Sequence, residues 1–170
     1  LHVVQTCPPT REAAVKEPFF MPLAVGLLDW DGTSLPVEGA DEDGTRVLVL
    51  EEREQAFVLA PVPTRPVVSF LRNFSAPVRV RFEQTDEELG LRMARDPDPF
   101  NRWEAGQQLA LRHLLARMDE ARQDDPVTLP RTLYQGLRDL LRDRDSDPAF
   151  VAVALVLPAE NWISQQLAVV

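Results

Sequence analysis

Residues 77–83 alternate without a break: Val78, Val80 and Phe82 fall on one side, Arg79, Arg81 and Glu83 on the other. Successive side chains of a strand point to opposite faces, so this pattern predicts a half-buried antiparallel strand. Two residues later the period changes. Thr85-Asp86-Glu87-Glu88 has the Thr-x-x-Glu form of a capping box, which predicts a helix beginning at Asp86. So abrupt a switch leaves no room for a linker. The chain is expected to fold as a β unit, residues 1–84, that runs directly into a helical one, residues 85–170.

The rest of the first half keeps period 2. Residues 22–29, 45–50 and 54–59 are short β-prone runs, punctuated by Asp31-Gly32, Gly39 and Gly44. The charged Glu51-Glu52-Arg53 predicts a hairpin loop between the last two runs. Prolines 61, 63 and 66 exclude a central strand there and predict an edge or a crossing loop. Strands this short and closely spaced imply a small β-sandwich.

In the second half Pro97 ends the first helix, and a second is predicted over about 99–122, with Phe100, Trp103, Ala110, Leu114 and Met118 on one stripe. Trp103 is read as the ring that packs this helix against the sandwich, in preference to a ligand-stacking partner for Arg102. A third helix follows Asp124-Asp125-Pro126 and carries Leu133, Leu137, Leu140 and Leu141. Ser146-Asp147-Pro148 supplies an N-cap and a first-turn proline for a fourth, expected to reach Leu157. Pro158 opens a fifth through Trp162, Ile163 and Leu167. Five short antiparallel helices resemble the start of an α-solenoid, although no fixed-period repeat is visible.

Composition removes several classes of function. An apolar fraction of 45% fits a folded chain, one that buries roughly 70% of its unfolded surface at this length. A net charge of −9 argues against nucleic acid, because neutralising phosphates needs clustered Lys and Arg. Of the arginines at 65, 72, 79 and 81, only Arg79 and Arg81 share a strand face. The longest apolar run, 149–157, is about half the ~20 residues that span a bilayer. Cys7 is the only cysteine, so there is no intrachain disulfide, and a reduced cytoplasmic compartment is expected.

No constellation in the chain carries chemistry. His2 and His113 are the only histidines, and position 117, four residues after His113, is an arginine, so the i, i+4 pair of a helical zinc site is missing. Asp29, Asp31, Gly32 and Glu38 mimic part of a calcium loop, but its first position would be Leu27, and a turn at Asp31-Gly32 is the reading adopted. Asp41-Glu42-Asp43 reads as a solvated loop tip. Nothing places Glu104 and Glu120 in one pocket as an acid/base pair. Cys7 has no identifiable base nearby, and no Gly-x-Ser-x-Gly elbow occurs. Catalytic, cofactor-binding and metal-binding residues are therefore all read as none.

Several phrases carry a family likeness. Residues 22–29 (Pro-Leu-Ala-Val-Gly-Leu-Leu-Asp), Glu54-Gln55-Ala56-Phe57 and 71–78 (Leu-Arg-Asn-Phe-Ser-Ala-Pro-Val) occur in order. Asp96-Pro97-Asp98-Pro99-Phe100-Asn101-Arg102-Trp103-Glu104-Ala105 and Leu157-Pro158-Ala159-Glu160-Asn161 follow them. In wording and order the chain resembles the third and fourth domains of the bacterial aminopeptidase N family, large zinc exopeptidases. The resemblance implies an Ig-like β-sandwich acting as a spacer, followed by the first helices of a HEAT/armadillo-like domain that caps the catalytic domain and restricts entry to peptides. It also implies a zinc-dependent parent that releases N-terminal residues from peptides. The family's H-E-x-x-H and Gly-x-Met-Glu-Asn motifs are absent, and Tyr134 does not stand in the context of its transition-state tyrosine.

The expected partners are thus the catalytic domain and the remaining helices of the same polypeptide, with zinc in the parent and none in this stretch. Leu1 opens inside an alternation and Val170 is not followed by a helix-ending Gly or Asn, which reads as a piece of a longer chain. The apolar run at 148–157 is then short of cover, and either self-association through 148–170 or ready opening of this segment is expected. The rival reading is a free-standing adaptor, an Ig-like module with helical repeats that binds proteins; an upstream H-E-x-x-H distinguishes the two.

Overall fold

The computed structural model describes residues 1–59, 61, 62, 64–120 and 128–166, and for Asp119 and Glu120 the backbone alone. It divides into two compact units, Leu1–Val80 and Arg81–Val170.

The first unit is a β-sandwich built around one strand. β1 (His2–Val4), β2 (Met21–Leu28), β3 (Ser34–Leu35), β4 (Arg46–Leu50), β5 (Glu54–Ala56) and β6 (Val67–Phe70) follow in order. β2 is the hub. Val25 pairs with Arg46 of β4 on one edge and Phe70 of β6 on the other, and Leu27 pairs with Leu35 of β3 and Val68 of β6, all antiparallel. Its run Leu23 to Leu28 is buried on both faces, which is why it reads as continuous apolar sequence rather than as an alternation. Leu23, Val25 and Leu27 join Leu48, Leu50, Leu59 and Leu71 in the core, and Val3 and Phe57 pack onto it from the side of the second sheet, β1 with β5.

Two sequence expectations fail here. Glu51-Glu52-Arg53 is not a hairpin loop: β4 pairs with β2 whereas β5 pairs with β1, so these residues carry the chain from one sheet to the other. Nor is 77–83 a strand. β6 ends at Phe70, and Leu71, Asn73 and Phe74 then take φ of 58°, 54° and 51°, turning the chain away from the β2 edge. Alternation supplies two faces but not a hydrogen-bonding neighbour, and among the described residues the backbone of 79–83 has none. Of the prolines expected to interrupt strands, Pro61 and Pro66 lie outside any strand, and Pro63 lies outside the described residues.

The second unit holds α1 (Asp86–Arg95), α2 (Pro99–Glu120), α3 (Arg131–Arg142), α4 (Pro148–Ala154) and α5 (Glu160–Gln166). α1 starts where its capping box requires: Glu88 N donates to Thr85 Oγ1 at 3.2 Å, and Thr85 N donates to Glu88 Oε2 at 2.8 Å. Asp147 caps α4 by accepting from Ala149 N at 2.9 Å. Leu89, Met93, Ala105, Leu109, Ala110, Leu133, Leu140 and Ala154 form the core, with Trp103 partly buried against it and 5.8 Å from the Phe100 ring. Met93 sits between two glycines. A Cβ on Gly136 would stand 2.7 Å from its sulfur and one on Gly106 3.4 Å, so both helices approach α1 closely only because those positions are bare.

The expected apolar stripes are rotated in places. Met118 is 48% exposed and Leu141 63%, because the buried face of α2 runs through Arg102, Ala105 and Leu109, and that of α3 through Leu133, Gly136 and Leu140. α4 stops at Ala154, three residues short of the expected Leu157. Arg122 and Leu167, the outer positions of two expected helices, lie outside the described residues.

Candidate functional site

Each unit is organised around a buried arginine. In the first, Arg72 is 2% exposed and lies flat over Gly26 of β2, so closely that a Cβ at position 26 would overlap its guanidinium. Its Nε donates to Ser69 Oγ at 2.8 Å, and one terminal nitrogen reaches Thr45 Oγ1 at 3.0 Å and the Asp43 carbonyl at 3.3 Å. The acidic loop 41–43 presents those acceptors because Asp41 Oδ1 accepts from Asp43 N at 3.1 Å and from Thr45 N at 2.7 Å. Past Phe70 the β2 edge is completed by a side chain: Ser75 Oγ accepts from Ala24 N at 2.9 Å. Left-handed φ at Leu71 and Phe74 costs on the order of 1 kcal/mol or more apiece, and it persists because Arg72 and Ser75 fix both ends of the turn.

In the second unit Arg102 of α2 does the equivalent. Its Nε donates to the Met93 carbonyl at 3.2 Å and one terminal nitrogen to the Ala94 carbonyl at 3.3 Å, so its charge sits at the C-terminal end of α1, where the helix dipole favours a cation. The same nitrogen meets Asp143 Oδ2 at 3.0 Å and the other meets Ser146 Oγ at 2.7 Å, while the guanidinium carbon stands 5.2 Å over the Phe150 ring. α1, α2, the α3–α4 connection and α4 therefore converge on one side chain. The Ser146 hydroxyl, then Asp145 N and Arg102, hold the Asp143 carboxyl down to about 2. Beside this knot, Arg92 pairs with Asp96 at 3.5 Å and donates to Gln84 Oε1 at 2.5 Å, Asp96 accepts from Asp98 N, and Asp98 accepts from Asn101 N at the start of α2.

The residues weighed from sequence are scattered. His113 Nε2 is 2.9 Å from Asp86 Oδ2, and Arg112 holds the other oxygen of that carboxylate at 2.5 Å; His2 is 2.8 Å from Glu54. Each histidine thus lies beside a carboxylate of its own unit. Among the described residues no group of three or more His, Cys, Asp or Glu is disposed to hold a metal. Asp29, Asp31 and Gly32 form the β2–β3 turn, with Gly32 at φ 90°, and Asp31, holding Thr33 N at 2.8 Å, is lowered below the usual carboxylate range by that bond. Cys7 is exposed, with its Sγ 3.8 Å from the Pro8 carbonyl; Tyr134 is exposed on α3. Glu104 is half-buried, and the Glu120 side chain lies outside the described residues.

The architecture is that of an Ig-like sandwich followed by a helical-repeat segment. Two family descriptions match it: residues 1–83 fit the domain of unknown function DUF3458, Ig-like fold, and residues 86–170 fit the domain of unknown function DUF3458_C, ARM repeats. The chain belongs to that family. It is similar to aminopeptidase N of Escherichia coli, 32% identical over 97% of this chain and 19% of the relative. The aminopeptidase N of Haemophilus influenzae is 30% identical over 94% of this chain and 18% of the relative, and that of Caulobacter vibrioides 35% over 81% and 15%. Among solved structures, Legionella pneumophila aminopeptidase A in complex with aspartic acid superposes with a TM-score of 0.70 at 26% identity, over 87% of this chain and 16% of that one. The chain thus spans less than a fifth of the length of the relatives it matches.

The Arg102 knot predicts an acid response. A carboxyl whose folded value is lowered stabilises the fold above its ordinary value, and that contribution is lost as pH falls from 3.8 toward about 2. Asp143→Asn is expected to lower the thermal midpoint at pH 6 and to flatten its fall between pH 4 and 2. An unchanged acid slope in the variant contradicts the assignment.

Proposed function

We propose that this chain is a non-catalytic part of a zinc-dependent aminopeptidase N, whose full-length form releases N-terminal amino acids from peptides. The observation that carries the reading is the likeness to aminopeptidase N over 97% of the chain. The disposition of its polar residues supports it: Arg72, Arg92, Arg102, Asp96 and Asp98 are turned inward and spent on tying loops to strands and helices to one another. In this reading the sandwich is a spacer and the helices are the base of a cap. The partners are the catalytic domain, which holds the zinc, and the remaining helices of the same polypeptide. A cytoplasmic setting goes with the single, exposed Cys7.

The assay uses an aminoacyl chromogenic substrate, with zinc measured by elemental analysis. The chain alone is expected to be inert and to bind no stoichiometric zinc, and the full-length protein to be active and to contain it. Hydrolysis by the chain alone, or an inert and zinc-free full-length protein, contradicts the proposal.

The same reading bears on the last two helices. Val153, Val156 and Leu157 are 58%, 63% and 54% exposed, although apolar. Such a surface in isolation tends to find a partner, so the chain alone is expected to self-associate through residues 148–170. Light scattering that reports a monomer at high protein concentration contradicts this.

A further inference from the structure

We infer that β4 is an edge through which two copies of the protein pair, antiparallel and in a register centred on Leu48. β4 pairs with β2 alone, and every residue involved belongs to the sandwich unit. The register sets Val47 opposite Ala24, whose amide is turned to Ser75 on the far side of β2, so this pair exchanges no hydrogen bond. Alternation along the ladder then points the backbone of Arg46, Leu48 and Leu50 at β2 and that of Val47 and Val49 away from it. The edge is closed at both ends. Thr45 N donates to Asp41 Oδ1 and the Thr45 carbonyl accepts from Asp41 N at 2.9 Å, while Glu51 N donates to Gln55 Oε1 at 3.1 Å. Between them, the outward N–H and C=O groups of Val47 and Val49 have no partner among the described residues. Both side chains are apolar and exposed, at 57% and 37%. An edge guarded by no lysine, proline or bulge accepts another strand.

The window fits its own copy. About Leu48, Val47 faces Val49 of the second copy and Val49 faces its Val47. The free groups of both copies are then joined in four hydrogen bonds, and the four valines meet on one face. Centring on Val47 sets Val49 against Thr45, and centring on Val49 sets Val47 against Glu51, whose backbone groups are already engaged. Charge agrees with the Leu48 register: Arg46 faces Leu50, Thr45 faces Glu51 and Gly44 faces Glu52, so no like charges are opposed. Window, apolar face and charge thus match under a two-fold axis, which a contact between copies requires and an unrelated strand does not. Four hydrogen bonds and four valines make a small contact, so the pairing is weak and concentration-dependent.

Sedimentation velocity and amide hydrogen exchange are followed on the full-length protein from low to high micromolar concentration. A monomer–dimer equilibrium is expected, with the Val47 and Val49 amides exchanging at least about tenfold more slowly as dimer forms. Val47→Lys with Val49→Lys is expected to leave a monomer at every concentration with unchanged circular dichroism, because both side chains are exposed. Val47→Thr with Val49→Thr, which keeps β-branched side chains, is expected to keep the dimer. Rapid exchange at both amides at every concentration overturns the edge as a pairing site. Slow exchange in the monomer shows the edge taken by the same polypeptide and overturns the second copy, as does a dimer that survives the lysine pair. Hydrolysis of aminoacyl substrates, which tests the proposed function, is expected whichever of these is found.

Discussion

A guanidinium stays charged at any pH a protein meets, so burying one obliges the surrounding chain to supply acceptors and to close off water. Arg72 imposes that obligation on the sandwich. Its position over β2 requires position 26 to have no side chain, and its donors require Ser69, Thr45 and the Asp43 carbonyl to be held within reach. The acidic loop and the left-handed turn after β6 follow from this. Each places an acceptor or a backbone segment that the arginine needs, and Ser75 then completes the edge of the central strand.

The helical unit meets the same constraint differently. Arg102 finds its acceptors in the carbonyls at the end of α1 and in the Asp143–Ser146 pair, so its charge offsets a helix dipole and gathers four elements at once. Met93, packed between Gly106 and Gly136, holds the same helices on their apolar side. The polar groups of Arg92, Asp96, Asp98, Asn101 and Arg102 are turned into the interior of the same unit.

Local chemistry was legible from the sequence where neighbours in the chain decide it. The Thr85–Glu88 box, the Asp31-Gly32 turn and the Asp147-Pro148 cap appear where their residues require them. Non-local pairing was not legible. The runs 45–50 and 54–59 look like a hairpin, and only the competition of β2 and β1 for them sends each to a different sheet. Residues 77–83 show the same limit from the other side, since a pattern of faces does not specify a backbone partner. The two organising arginines were in view as parts of recurring phrases but without a role. Gly26, a bare position inside an otherwise bulky apolar strand, was the signal that another group approaches there.

The central claim is that Arg72 and Gly26 act as one unit. A double-mutant cycle in urea tests it most directly. Gly26→Ala alone is expected to destabilise the sandwich by roughly 1–3 kcal/mol, because the new methyl displaces the guanidinium. In the Arg72→Ala background the same substitution is expected to cost little, giving a coupling of at least about 1 kcal/mol. If the two costs simply add, the guanidinium does not lie on the glycine, and the account of the sandwich is wrong.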